Sequence, residues 1–248
     1  MTPDLAPPEL PAVFRTLDVI GVVLNGIIGG TIARQRRFDL IGFVVLALLS
    51  ALGGGALRDV LLDSGRPVFL VDPSYLGGAL AGAAVAYVLN LRGRLWRWTF
   101  PWADAAVLGA WAVTGAVKSL NSGLGWMPSI LLGVMTAVGG GMIRDIVAGN
   151  VPEIFGGRPL YAAPAVLAAA ATVVGLRLEW PPNAVMLGAA LLGASVVLLA
   201  RWRNWQIPVH GDGTVTMTKA QLAQLIRRVE RFGKKGGATR YEGGERGE

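Results

Sequence analysis

Long apolar runs broken by short polar segments set the pattern of this chain. Runs of membrane-crossing length, about 17 to 25 residues, fall at 15–33, 40–62, 75–91, 102–120, 127–149, 160–177 and 184–200. The pattern predicts an all-α membrane protein with seven transmembrane helices and short loops. Polar positions then set its orientation. The loops after the first, third and fifth runs, with the start of the tail, hold Arg34, Arg36, Arg37, Arg92, Arg94, Arg97, Arg158, Arg201 and Arg203. The other side holds chiefly Arg15, Arg66 and Arg177. Basic loops stay in the cytoplasm, so the N-terminus is expected outside and the C-terminus inside. Trp96, Trp98, Trp102, Trp126, Trp180, Trp202 and Trp205 fall near run ends, as interfacial anchors do.

Composition agrees with this reading. The 248 residues are 53% hydrophobic and 16% charged, where a soluble chain carries about a quarter charged residues, and mean hydropathy is +0.51. A net charge of +7 is explained by basic loops facing anionic lipid, without nucleic acid. There are no cysteines, so no disulfide framework or thiolate metal site is available. The single histidine, His210, follows the last run without a visible partner and reads as a surface residue. Residues 1–13 are proline-rich and lack the basic start of a cleavable signal. In the tail, Thr218 and Gln221 fit a capping box, and Leu222, Leu225, Ile226, Val229 and Phe232 recur at helical spacing beside Arg227, Arg228, Arg231, Lys234 and Lys235. This short basic helix either lies on anionic lipid or is solvated, and 236–248 reads as disordered.

The chain also repeats itself. A shift of 86 positions carries Asp18 onto Asp104, Gly29 onto Gly115, GGGALRD (53–59) onto GGGMIRD (139–145), Phe69 onto Phe155 and Tyr75 onto Tyr161, without a gap. The runs therefore divide into two three-helix repeats, 15–91 and 102–177, with 184–200 as a seventh helix, after an N-terminal extension 1–14 and before a tail 201–248. Three is odd, so the second repeat is inverted relative to the first.

Gly53, Gly54 and Gly55, with Gly139, Gly140 and Gly141, sit near mid-span. Glycine weakens a helix interior by about 1 kcal/mol per residue. Such runs permit close helix packing; duplicated across an inverted repeat they favour broken helices whose freed carbonyls face a cavity. With about 1.5 Å of rise per residue, Arg58 lies about 10 Å and Asp18 about 8 Å from mid-membrane on the same side. Arg58 and Asp59 are neighbours in sequence and do not face one another on a helix. The expected pairs are therefore Asp18 with Arg58 and Asp104 with Arg144, with snorkelling of the arginines as the alternative. Asp59 and Asp145 are left to line the cavity or accept from nearby backbone. Lys118 either snorkels or faces the pathway, and Asn25 is either interhelical glue or pore lining.

With its duplicated GGG-x-x-RD motif and seven spans, residues 15–200 resemble the prokaryotic members of the trimeric intracellular cation (TRIC) channel family. The resemblance implies a homotrimer with one pore per protomer, built of two inverted three-helix bundles and a seventh helix. It implies passive permeation of potassium and other monovalent cations. The glycines would kink the second and fifth helices around the pore, and Arg58, Asp59, Arg144 and Asp145 would occupy the family's charged positions. Lys118 lies in the span where animal relatives place a gating lysine, though it matches no motif. No cofactor or metal is implied. Arginines beside a cation path repel the ion, so they must be neutralised by carboxylates. The rival expectation is a secondary transporter of a small solute such as an amino acid. An enzyme is disfavoured because the spans contain no nucleophile and base constellation. The implied location is a bacterial inner membrane.

Overall fold

A computed structural model describes residues 12–63, 65–89, 94–152, 154–155 and 161–205. The tail helix, His210 and Arg158 lie outside the described residues. The chain is helical: α1 (Ala12–Gln35), α2 (Leu40–Leu62), α3 (Val68–Val71), α4 (Pro73–Val88), α5 (Arg94–Asn121), α6 (Trp126–Val147), α7 (Ala162–Arg177) and α8 (Pro182–Trp202). Among the described residues α1, α2, α5, α6 and α8 are long and apolar enough to cross a membrane, and α7 is a shorter apolar helix.

Local chemistry explains the boundaries. Asp39 caps α2 by accepting the N–H of Gly42 at 2.8 Å, and Asp72 caps α4 by accepting that of Ser74 at 3.0 Å, so each carboxylate satisfies an otherwise orphaned donor. α5 begins well before the expected 102 and contains Pro101. Pro101 lies about two turns inside α5, where a proline removes one backbone bond and crowds the turn before it, yet the helix runs on through it. α3 is too short to register as an apolar run.

Packing repeats along the chain. α1 lies on α2 and α4, while α5 lies on α6 and α7; α2 crosses α6, and α8 rests on α5 and α7. Helix ends are named here by chain direction. The "basic end" holds the C-termini of α1, α6 and α8; the "far end" holds those of α2 and α5. At the basic end Arg34 donates to the Tyr87 carbonyl and Arg36 to Asn150 Oδ1. Alanines at 79, 105, 112, 116, 165 and 168 are fully buried, the small-residue interior that lets helices approach in lipid. Ile41, Val88 and Leu191 project outward from the bundle, and Trp98, Trp102, Trp126, Trp180 and Trp202 are exposed near helix ends.

The glycine runs do not break their helices. α2 is continuous through Gly53, Gly54 and Gly55, and α6 through Gly139, Gly140 and Gly141. This corrects the expectation of helix breaks with bare carbonyls. The runs are where α2 and α6 cross. A Cβ on Gly54 would lie 2.4 Å from the carbonyl oxygen of Thr136, and one on Gly140 2.4 Å from that of Ser50. Gly53 and Gly139 face the same seam, at 3.4 Å from the Gly140 Cα and 3.2 Å from the Gly54 Cα. Backbone meets backbone, so the loss in helix propensity is offset by contact that no side chain would permit.

Candidate functional site

The third glycine of each run has a different neighbour. A long helical side chain leans back toward its own N-terminus, and Arg58 does so over Gly55, whose absent Cβ would be 3.8 Å from Nη2. There Nε donates to Asp59 Oδ1 at 2.7 Å, and Nη2 reaches the same oxygen at 2.7 Å. The other oxygen, Oδ2, accepts the Val68 N–H at 2.9 Å, at the start of α3. Arg58 is only 1% exposed, so this ion pair is buried and both its partners are bonded. Beside it the Tyr75 hydroxyl donates to Asp18 Oδ2 at 2.6 Å. Lys118 interacts electrostatically with Arg58, Asp59 and Asp18.

The same arrangement recurs at the basic end. Arg144 leans over Gly141, 3.7 Å from its absent Cβ. Its Nε and Nη2 both reach Asp145 Oδ1 at 2.8 Å. The Tyr161 hydroxyl donates to Asp104 Oδ1 at 3.1 Å, while Arg201, from the end of α8, donates to Asp104 Oδ2 at 2.7 Å.

The expected pairs of Asp18 with Arg58 and of Asp104 with Arg144 are therefore corrected. Each arginine bonds the aspartate next to it in sequence. The rule that neighbours do not face one another describes where their Cβ atoms point; a guanidinium that doubles back across a glycine escapes it. Asp18 and Asp104 do share the level of the arginines, but tyrosine hydroxyls take their oxygens. Asp59 and Asp145, expected only to line the cavity or accept from backbone, are instead the arginines' partners; Asp59 also accepts the Val68 N–H and Asp145 also borders a cavity. Sequence reasoning missed Tyr75, Tyr161 and Arg201. The tyrosines were visible as a repeated pair exactly one repeat length apart; Arg201 was counted only as a loop charge.

The two clusters differ in the space around them. At the basic end a cavity of about 500 Å³ is lined by Asn25, Ile28, Ile32, Asp104, Gly141, Arg144, Asp145, Tyr161 and Arg201 among others. The far cluster, with Asp18, Gly55, Arg58 and Tyr75, surrounds only about 20 Å³. Asn25 donates its amide N–H to the Gly21 carbonyl at 3.1 Å, which leaves its side-chain oxygen as the acceptor on the cavity. Among the described lining residues Arg144 and Arg201 are each matched by a carboxylate, Asp145 and Asp104. Among the described residues no group of histidines, cysteines and acids could hold a metal ion. Outside the spans, the Ser74 hydroxyl and the Arg15 guanidinium hold Asp72 down to about 2; Arg15 Nη2 reaches Asp72 Oδ2 at 2.7 Å.

Comparison with known proteins adds kinship. The family model described as "Glycine transporter" matches residues 15–90 and again 101–177. A UPF0126 membrane protein of Deinococcus radiodurans is 38% identical over 198 residues, 78% of this chain and 90% of that protein. The UPF0126 inner membrane protein YadS of Escherichia coli K12 is 34% identical over 186 residues, 75% of this chain and 88% of its own. A solved TRIC cation channel superposes with a TM-score of 0.74 at 30% identity, covering 82% of this chain and 100% of that one.

Proposed function

This chain belongs to the family of the UPF0126 membrane proteins, with the fold of the TRIC cation channels, and on that premise we propose that it conducts monovalent cations, potassium foremost. The observation that carries the reading is the cavity of about 500 Å³ at the basic end. Its volume can hold a hydrated ion, its described arginines are paired, and Asp104, Asp145 and Asn25 set acceptor groups along it for a cation. Because α2 and α6 are unbroken, side-chain oxygens take the part that freed carbonyls were expected to play.

The finer architecture follows the same premise. We take α4 and α7 as crossing helices too, which gives seven spans: two inverted repeats of three (15–91 and 102–177) and α8. The protein then sits in a bacterial inner membrane with its N-terminus outside and its basic end in the cytoplasm. It assembles as a homotrimer with one pore per protomer, the pore flanked by the charged motifs. Lys118, beside the far cluster, is the candidate gate, and the basic tail of 201–248 is the candidate lipid contact. Kinship to channels favours permeation over catalysis.

One observation favours a second reading. The matching family model is described as a glycine transporter, and two like-lined spaces of very unequal volume also suit alternating access. Liposomes containing the purified protein separate the two. A channel should release potassium at a rate that rises linearly with concentration and leave labelled glycine outside. Saturable, concentrative glycine uptake without potassium leak would support the transporter.

A further inference from the structure

The repeat shift of 86 positions carries most of one cluster's lining onto the other; it also pairs Asn25 with Trp111 and Ile32 with Lys118, and leaves Arg201 without a partner. Asn25 stands on the open cavity at the basic end. Trp111 stands on the small space at the far end, with 6% exposure. Several matched neighbours differ little in bulk: Ala51 with Ala137, Gly55 with Gly141, Arg58 with Arg144, Tyr75 with Tyr161. Ala56 with Met142 sets the larger side chain on the larger cavity, whereas an indole in place of a small amide sets it where the space is lost.

The indole is fitted into its place by α1. A Cβ on Gly21 would lie 2.9 Å from Trp111 Cζ2 and 2.6 Å from Val107 Cγ1, so α1 is bare where the ring lies. The repeat partner of Gly21 is Val107 itself, so the slot exists in one repeat only. Among the described residues the indole N–H has no acceptor. Shape rather than a hydrogen bond holds the ring, so no hydrogen bond of the indole has to break for it to move.

We propose that Trp111 is the plug that closes the far half of the pathway, and that Asn25 is its open counterpart. The far cluster repeats the arginine, aspartates and tyrosine of the basic one, without Arg201, so moving the indole exposes a second charged vestibule beside Arg58 and Asp18. The consequence for current rests on the channel reading; the plug itself concerns shape, and the test below measures shape.

The chain has no cysteines, so single reporters at the matching positions, Ala51→Cys and Ala137→Cys, can be placed without removing any. Each is reacted in detergent micelles with 2-aminoethyl methanethiosulfonate, whose attack follows exposure of the thiol. In the otherwise native chain Ala137→Cys should react about tenfold faster than Ala51→Cys. Adding Trp111→Asn should raise the Ala51→Cys rate to near that of Ala137→Cys, whereas Trp111→Phe, which keeps a ring in the slot, should leave it slow. Asn25→Trp, which sets a ring on the larger cavity, should slow Ala137→Cys without changing Ala51→Cys. The proposal is overturned if Trp111→Asn leaves Ala51→Cys slow while Ala137→Cys in the same variant reacts normally. Should Trp111→Asn fail to fold, unchanged labelling of Ala137→Cys in Asn25→Trp overturns it instead. Labelling needs no conduction, so a failure here and a failure of the channel reading are told apart.

Discussion

The segments 53–59 and 139–145 carry the same motif and build the same contacts, yet one borders a cavity of about 500 Å³ and the other about 20 Å³. Arg58 and Arg144 each fold over a glycine onto the next aspartate, at 2.7 and 2.8 Å. Tyr75 and Tyr161 each donate to an aspartate of another helix. The motif therefore sets the helix crossing and the buried ion pair. What opens or closes the space lies outside it: Asn25 against Trp111, Ile32 against Lys118, and Arg201, which has no counterpart in the first repeat.

The largest expected effect separates glycines within one motif. Gly54→Ala places a methyl 2.4 Å from the Thr136 carbonyl oxygen, and because backbone on the other side cannot give way, the two helices must part, a loss well beyond ordinary core overpacking. Loss of the monodisperse peak in size exclusion is expected, and likewise for Gly140→Ala. Gly55→Ala meets nothing closer than Arg58 Nη2 at 3.8 Å and should be recovered at near wild-type yield. Equal damage at Gly54 and Gly55 would remove the crossing as the reason for the run.

Next in size are the ion pairs. Asp59→Asn strands a buried guanidinium, an error worth about 3–5 kcal/mol, and Arg58→Gln added to it should restore part of the lost thermal stability. Asp145→Asn strands Arg144 beside the open cavity, where solvent can reach it, so its melting temperature should fall less. If the two single variants fall equally, the difference in space has no bearing on the charges.

Smaller still is Arg201→Gln. Its side chain is 31% exposed and Tyr161 remains to hold Asp104, so about 1 kcal/mol is expected in thermal or urea unfolding.

The smallest effect is that of pH on Asp72. Its carboxyl is held down to about 2 by Ser74 and Arg15, so its contribution is complete above the ordinary carboxylate range of about 3.9 and is lost as pH falls through 2. Asp72→Asn should lower stability by the same small amount at pH 7 and pH 5, with the difference from wild type narrowing only toward pH 2. A narrowing already complete at pH 5 would contradict the pairing with Arg15.

Most of the helices could be read from the sequence because lipid demands long, unbroken apolar runs, and the ends of α2 and α8 fall within two residues of the expected bounds. The charged motif was legible because it is duplicated. Its partners were not. Arg58 was assigned to Asp18 by depth along the membrane, a coordinate that says nothing of how a flexible side chain bends, and the glycine on which it bends was assigned to a helix break. Glycine in a run has two opposed meanings, release of the helix and close approach of another one; only the position of α6 against α2 decides between them. Trp111 was read as part of an apolar run because bulk at one position carries no signal until its repeat partner is known to border a cavity.

The measurement that bears most directly on conduction through the basic-end cavity is single-channel recording of the purified protein in a planar bilayer under a potassium chloride gradient, with Asn25→Trp recorded beside the wild type. Discrete steps that reverse near the potassium equilibrium potential, and that shrink or vanish in Asn25→Trp, are the expected result. Steps of unchanged size in Asn25→Trp would place the ion path elsewhere, and a silent wild type alongside saturable glycine uptake in liposomes would contradict the channel itself.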